Sequence, residues 1–260
     1  MEKYNHIGIG YNTTRKADPF LTQKLIEHLQ PKKGRCYLDI GCGTGNYTIA
    51  LHEKGYPFIG VDPSTIMLEQ AKHKNDTIDW QLGTAEHTGL QTESVHGITA
   101  FLTIHHWTNL EQAFSELYRV LKPKGRIVIF TSTPKQMQGY WLNHYFPKML
   151  VDSMVQMPSF QRVENAMHNC GFVDLKVDKY YVDPDLQDKF LYCGKYNPEL
   201  YFNKQIQQGI SSFSALANQV EVEQGLLQMQ EDINSRKINE IIKSYENEFG
   251  DYMFILGEKN

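Results

Sequence analysis

Short apolar runs recur along the first half of the chain, separated by stretches whose apolar residues are three or four apart. The runs from Cys36 to Ile40, Phe58 to Val61, Ile78 to Leu82, Gly97 to Leu102 and Gly125 to Thr131 have strand length. Asp18-Pro19 supplies a cap and a first-turn proline, and Leu21, Leu25 and Leu29 then form one helical stripe, ended at Pro31-Lys-Lys-Gly34. Leu110, Ala113, Phe114, Leu117, Tyr118 and Leu121 repeat with a period near 3.6 and predict a helix. Thr108 and Glu111 have the spacing of a capping box at its start. Strands alternating with helices predict an α/β fold with a parallel sheet and right-handed crossovers.

The second half breaks that alternation. Residues 136–158 hold Trp141, Tyr145, Phe146, Met149, Val151, Met154 and Met157 with few charges. A helix is expected over 160–170, ended by Gly171, and then a strand over Phe172–Val182 with Val173, Leu175 and Val177 on one face. A last strand, Tyr252–Leu256, alternates Tyr252, Phe254 and Leu256. About seventy residues separate these two strands, with Ile238, Ile241, Ile242, Tyr245 and Phe249 as one stripe.

The 260 residues, 41% hydrophobic, suit one domain over 1–260 better than two. No apolar run reaches the ~20 residues of a membrane helix. The N-terminal residues lack the basic-then-apolar order of a secretory signal, so a cytoplasmic location and no membrane partner are expected. Cys36, Cys42, Cys170 and Cys193 show no CxxC spacing, so neither a disulfide frame nor a metal site is expected. A net charge of −4 offers no electrostatic reason to bind nucleic acid.

The chemistry concentrates at Leu38-Asp-Ile-Gly-Cys-Gly-Thr-Gly45 and Gly60-Val-Asp62. A strand enters a loop with glycines at 41, 43 and 45, and a second strand ends in a carboxylate. Such a loop lets a ligand lie against backbone, and Asp62 is placed to accept ribose hydroxyls. The glycines fall at positions one, three and five, whereas the pyrophosphate fingerprint needs one, three and six. Asp39 precedes the first glycine by two residues and would repel a pyrophosphate. A cofactor with a cationic centre and an ammonium group tolerates it. S-adenosylmethionine has both.

These stretches resemble the motifs of class I S-adenosylmethionine-dependent methyltransferases, in the small-molecule subgroup that includes quinone-biosynthesis enzymes. Leu38–Gly45 is similar to the first motif and Gly60-Val-Asp-Pro-Ser64 to the second. Gly83-Thr-Ala-Glu-His87 resembles the adenine-side loop, Ala100–Trp107 the fourth-strand motif, and Glu116–Arg126 the turn into strand five. The resemblance covers roughly residues 36–131. It implies a Rossmann-like, doubly wound, mostly parallel seven-stranded sheet with an antiparallel last strand. It also implies S-adenosyl-L-methionine as cofactor and a small-molecule methyl acceptor, methylated by in-line displacement.

The family's last two strands form a hairpin, so this chain carries an insertion there. Residues 136–158 and 184–248 are expected to form a helical lid. Tyr11, Arg15, Asp39, Gly41, Gly43, Gly45, Asp62, Met67, Ala85, Glu86 and Leu102 match cofactor-binding positions. Tyr11 and Arg15 resemble a Tyr-x-x-x-Arg element that covers the cofactor carboxylate in relatives. Thr103 should pass near the sulfonium. His106 is the candidate base, ahead of His105, and His144, Tyr140, Tyr145 and Tyr181 are further candidates to line the pocket.

Three other readings compete. An RNA methyltransferase is one alternative, but Lys32-Lys33 and Lys122-x-Lys124-x-Arg126 precede strands one and five, at the end of the sheet away from the cofactor, and no Asn/Asp-Pro-Pro-aromatic motif follows strand four. A nicotinamide oxidoreductase lacks the glycine spacing and a Tyr-x-x-x-Lys pair. A non-catalytic S-adenosylmethionine-binding protein would keep the same binding motifs. Acceptor atom and oligomeric state are not readable.

Overall fold

A computed structural model describes residues 14–260. The first complete helix among the described residues, α1 (Pro19–Leu29), starts where Asp18 accepts from the Leu21 amide, and it buries Leu21, Leu25 and Leu29 as the stripe requires. Then follow β1 (Tyr37–Ile40), α2 (Asn46–Glu53), β2 (Phe58–Asp62), α3 (Thr65–Lys74), β3 (Asp79–Leu82), β4 (Val95–Phe101), α4 (Leu110–Val120) and β5 (Leu121–Thr131). The cap of α4 is Asn109, which accepts from the Gln112 amide. Thr108 is not the cap: its amide and hydroxyl donate to Glu86, which holds that loop instead.

Beyond β5 lie two short helices, α5 (Pro134–Gln138) and α6 (Pro147–Gln156), then α7 (Phe160–Asn169) and β6 (Phe172–Tyr180). The insertion adds α8 (Lys204–Gly209), a π-helical turn at Ser212–Leu216, α9 (Gln219–Asn234) and α10 (Ile238–Ser244). The chain then enters β7 (Tyr252–Lys259). The expected single apolar face on β6 is broken. Its register against β7 shifts between Val173 and Lys176, Asp174 takes φ +52°, and Val177 is exposed. A bulge of this kind moves every later side chain to the other face.

The seven strands are ordered β3-β2-β1-β4-β5-β7-β6. Pairing is parallel from β3 through β5, and β7 runs antiparallel to both β5 and β6. This is the doubly wound, Rossmann-like sheet with a reversed last strand. Alternation along β5 divides the core: Val128 and Phe130 pack with α1 and α2, whereas Ile127 and Ile129 pack with α4 and α7. Tyr140, Trp141, Phe146, Tyr201 and Phe213 of the inserted segments belong to the same apolar cluster as Val128 and Phe130. The inserted helices therefore continue the core of one sheet face. The order β2-β1-β4 places a switch point beside the carboxyl end of β1, where ligands bind in such sheets.

Candidate functional site

The turn after β1 is built by backbone conformation. Gly41, Gly43 and Gly45 have φ of +70°, +54° and +75°, which L side chains rarely adopt. Gly41 has a second reason to lack a side chain: a Cβ there would lie 2.0 Å from Thr103 Oγ1. Gly43 is different, because a Cβ there would meet nothing within 4 Å. That open space sits over the N-terminal end of α2, a cradle for a ligand lying on backbone.

Asp62 ends β2 and is buried. Its Oδ2 accepts from the Gly43 amide at 2.8 Å and its Oδ1 from the Ser64 amide at 2.9 Å. The acid thus holds the loop closed while each oxygen keeps a second lone pair for a ligand hydroxyl. Burial raises its pKa, opposed by those two amides. Asp39 is fully buried behind the loop, where Thr48 and Thr99 donate to its two oxygens at 2.5 and 2.9 Å. Desolvation pushes its pKa up to about 6. The hydroxyls, rather than loop amides, are what hold Asp39.

Met67 and Ala85 are buried against the cavity. Glu86 Oε1 accepts from Thr108 and Asn109. Burial raises its pKa, but these hydrogen bonds outweigh it and hold the group below the usual carboxylate range. Leu102 has φ +50°, a strained value for a residue with a branched side chain, right at the end of β4. Such strain often accompanies a site whose surroundings dictate the backbone.

His105 and His106 follow on one 3-10 turn, with ring centroids 3.8 Å apart. His106 is exposed and His105 half-buried. The Nδ1 of His105 is shut off from solvent with no hydrogen-bond partner. Burial, then the neighbouring His106 and Arg15, push its pKa well below the usual histidine value. Arg15 makes a two-point contact with Asp188, from Nε to Oδ1 at 2.5 Å and from the second terminal nitrogen to Oδ2 at 3.2 Å. Tyr11 lies outside the described residues.

Of the described residues that the sequence marks for the site, Arg15, Asp39, Gly41, Gly43, Asp62, Met67, Ala85, Glu86, Leu102, Thr103, His105 and His106 line one cavity of about 920 Å³, and Gly45 does not. Its far wall comes from the inserted segments: Met137, Tyr140, Gln156 and Met157 from the first, Phe190, Leu191, Ile210 and Leu216 from the second. Tyr252 and Ser132 close the end, with the Ser132 and Tyr140 hydroxyls 2.9 Å apart. His144, Tyr145 and Tyr181 stand away from this wall; the Tyr145 hydroxyl donates to Asp232, and Tyr181 is exposed. Asp188, Phe190 and Tyr252 are lining residues that no motif marks. The one available signal is the place of Tyr252 at the start of β7, whose alternation puts it with Phe254 on one face.

A family model described as a methyltransferase domain matches residues 38–129. A solved structure described as a putative methyltransferase from an antibiotic biosynthesis pathway of Anabaena variabilis is 35% identical. It covers 94% of this chain and 98% of its own, with a TM-score of 0.84. The chain belongs to the class I S-adenosylmethionine-dependent methyltransferases. Among curated relatives, an uncharacterised methyltransferase of Mycobacterium tuberculosis is 31% identical over 133 residues, 51% of this chain and 54% of that protein. A demethylmenaquinone methyltransferase of Desulfitobacterium hafniense is 28% identical over 185 residues, 59% of this chain and 72% of that protein. The chain spans about half the length of the first curated relatives it matches. Geranyl diphosphate C-methyltransferase of Streptomyces coelicolor superposes with a TM-score of 0.57 at 17% identity, covering 93% of this chain and 79% of its own, which speaks for the fold alone. Among the described residues no acidic, histidine or cysteine cluster could hold a metal ion, and no helix is long and apolar enough to cross a membrane.

Proposed function

We propose that this chain transfers a methyl group from S-adenosylmethionine to a small, largely apolar acceptor bound under the inserted helices. The observation that carries this reading is a single cavity with two unlike walls. One wall has the glycine cradle, Asp62 and Glu86; the other has Met137, Tyr140 and Met157 from 136–158 and Phe190, Leu191, Ile210 and Leu216 from 184–248, beside the polar Ser153, Gln156 and Asp188. Its volume of about 920 Å³ lies near the top of the roughly 300–1,000 Å³ usual for one ligand, which supports room for two reactants.

The residues fit the cofactor. The open space at Gly43 admits a ribose against backbone, and the remaining lone pairs of Asp62 suit its hydroxyls. Buried Met67 and Ala85 offer an apolar slot for the base. Bound S-adenosylmethionine supplies an already activated methyl group. The protein's work is then alignment and exclusion of water, for which the inserted segments act as a lid.

Where the acceptor must lose a proton, His106 is the base. His105 is held neutral by burial and by Arg15, whereas His106 stands at the solvent edge of the cavity. Histidine is the side-chain type most often used as a general base. The charge of the cavity narrows the acceptor. Among the described lining residues Arg15 is the sole lysine or arginine, and it already meets Asp188, while Asp39, Asp62 and Glu86 are acids. No second lysine or arginine lines the cavity among the described residues to neutralise a phosphorylated or carboxylated acceptor.

The test is a thermal-shift titration followed by a turnover screen of neutral acceptors with labelled S-adenosylmethionine. S-adenosylhomocysteine should raise Tm through linkage to the folded state, and NADH should not. Absence of a shift at millimolar S-adenosylhomocysteine would overturn the cofactor assignment. Label recovered only in nucleic acid would overturn the acceptor class.

A further inference from the structure

Three consecutive residues of the long insertion grip the start of the described chain. The Lys189 amide donates to the Thr14 carbonyl at 3.1 Å, and the Gln187 amide donates to Asp18 Oδ2 at 2.8 Å. Between them, Asp188 receives the Arg15 guanidinium. The Tyr47 hydroxyl, from the first turn of α2, also donates to Asp188 Oδ2 at 3.2 Å. On the other side, Asn46 donates to the Arg15 carbonyl at 2.9 Å. Farther along the insertion, Gly209 lies so close to Thr14 that a Cβ would come within 2.2 Å of its hydroxyl. The insertion, the segment 14–18 and the helix behind the glycine loop are thus one hydrogen-bonded unit.

Asp188 is 1% exposed and lines the cavity together with Arg15. Burying a carboxylate is expensive unless it is paired. Here the pair is a fork contact, which fixes the plane of the guanidinium as well as its distance. A guanidinium carries five N–H donors, and Asp188 takes two of them along one edge. Asp188 thereby sets the direction in which the guanidinium faces the cavity.

Arg15 and Asp39 line the same cavity as the glycine cradle, Asp62 and the Thr84–Glu86 loop. A nucleoside tail bearing both an ammonium and a carboxylate needs one acid and one base. Among the described lining residues, Arg15 is the sole lysine or arginine that meets that need.

We infer that Asp188 is a positioning residue for the amino-acid end of the cofactor, acting through Arg15, so that the insertion is part of the cofactor site as well as of the acceptor wall. The inference rests on the S-adenosylmethionine reading above. It assigns Asp188 no contact with the ligand. Its effect is to hold the Arg15 fork at one angle, so that a ligand carboxylate meets a preorganised partner.

Two ligands separate this role from a merely structural one. S-adenosylhomocysteine has the amino-acid tail, and 5′-methylthioadenosine has the same nucleoside and sulfur without it. Calorimetric titration of wild type, Asp188→Asn, Arg15→Gln and the double variant gives a cycle for each ligand. Asp188→Asn should weaken S-adenosylhomocysteine binding about tenfold and leave 5′-methylthioadenosine within about twofold. The double variant should be no weaker than Arg15→Gln alone, since two residues acting as one unit are not additive. Equal losses for both ligands would show a structural role and overturn the inference. Tighter binding of S-adenosylhomocysteine would show that Asp188 competes for Arg15, and would overturn it as well. If Asp188→Asn fails to fold, Arg15→Lys, which keeps the charge and loses the fork, must show the same selective loss. Failure of wild type to bind either ligand would overturn the cofactor reading itself, a distinct result.

Discussion

Gly41 and Gly43, two positions apart, should fail in opposite ways when changed to alanine. Both sit at positive φ, so each alanine carries a left-handed strain of roughly 1–2 kcal/mol. At Gly43 that is the whole cost to the fold, because the new methyl meets nothing within 4 Å. For a chain of this size such a loss lowers Tm by about 2–8 °C. The same methyl stands in the cradle proposed for the cofactor, so Gly43→Ala should lose at least about tenfold in S-adenosylhomocysteine affinity. At Gly41 the methyl would fall 2.0 Å from Thr103 Oγ1 and 2.6 Å from its Cβ. Overpacking of that kind adds roughly 1–3 kcal/mol. Gly41→Ala should therefore melt well below Gly43→Ala. Differential scanning fluorimetry and isothermal titration of the pair decide the matter. Wild-type S-adenosylhomocysteine affinity in Gly43→Ala would mean that the open space is not the cofactor cradle. Equal melting temperatures for the two variants would refute the steric reading of Gly41.

The sheet was legible because its strands are short, apolar and separated by helices of clear period. The glycine loop was legible because three glycines in five residues permit the positive φ that all three adopt. Roles set by partners distant in sequence were not readable. Glu86 was matched to a cofactor edge by motif, yet its Oε1 is engaged by Thr108 and Asn109. Thr108 and Glu111 had capping-box spacing, but the helix starts one residue later because Asn109 is the better placed acceptor. The alternation of Val173, Leu175 and Val177 failed because Asp174 adopts a bulge. Asp188 carries no local signal at all. Its meaning comes from Arg15, 173 positions away, and from Tyr47, 141 positions away. Nor does a stripe of aromatic and Met residues distinguish a wall from a core, and in residues 136–158 it serves both: Met157 lines the cavity, while Trp141 is buried in the core.

Asp62→Ala should weaken S-adenosylhomocysteine binding by about tenfold or more and also lower Tm, because the Gly43 and Ser64 amides lose their acceptor at roughly 1–3 kcal/mol each; unchanged stability would show that water replaces it. His106→Ala should slow turnover of an acceptor that loses a proton by about 10²–10⁴ with S-adenosylhomocysteine affinity unchanged; a normal rate per folded molecule would leave His106 a packing group. Asp39 yields a pH signature. Its folded pKa, near 6, lies above the ordinary 3.8, so the folded chain binds the extra proton between those values. On this account stability is fully favoured below about 3.8, declines as pH rises through 6, and changes no further above it. A cationic ligand group placed beside Asp39 favours the carboxylate and pulls its pKa down. Binding of S-adenosylmethionine should therefore release a proton near pH 6 and none near pH 8, and affinity should rise across that interval. Titration in buffers of different ionisation enthalpy measures the release directly. A heat of binding independent of buffer at pH 6 would mean that the ligand's positive charge lies too far from Asp39 to feel it, and the placing of the ammonium end beside that acid would have to be abandoned.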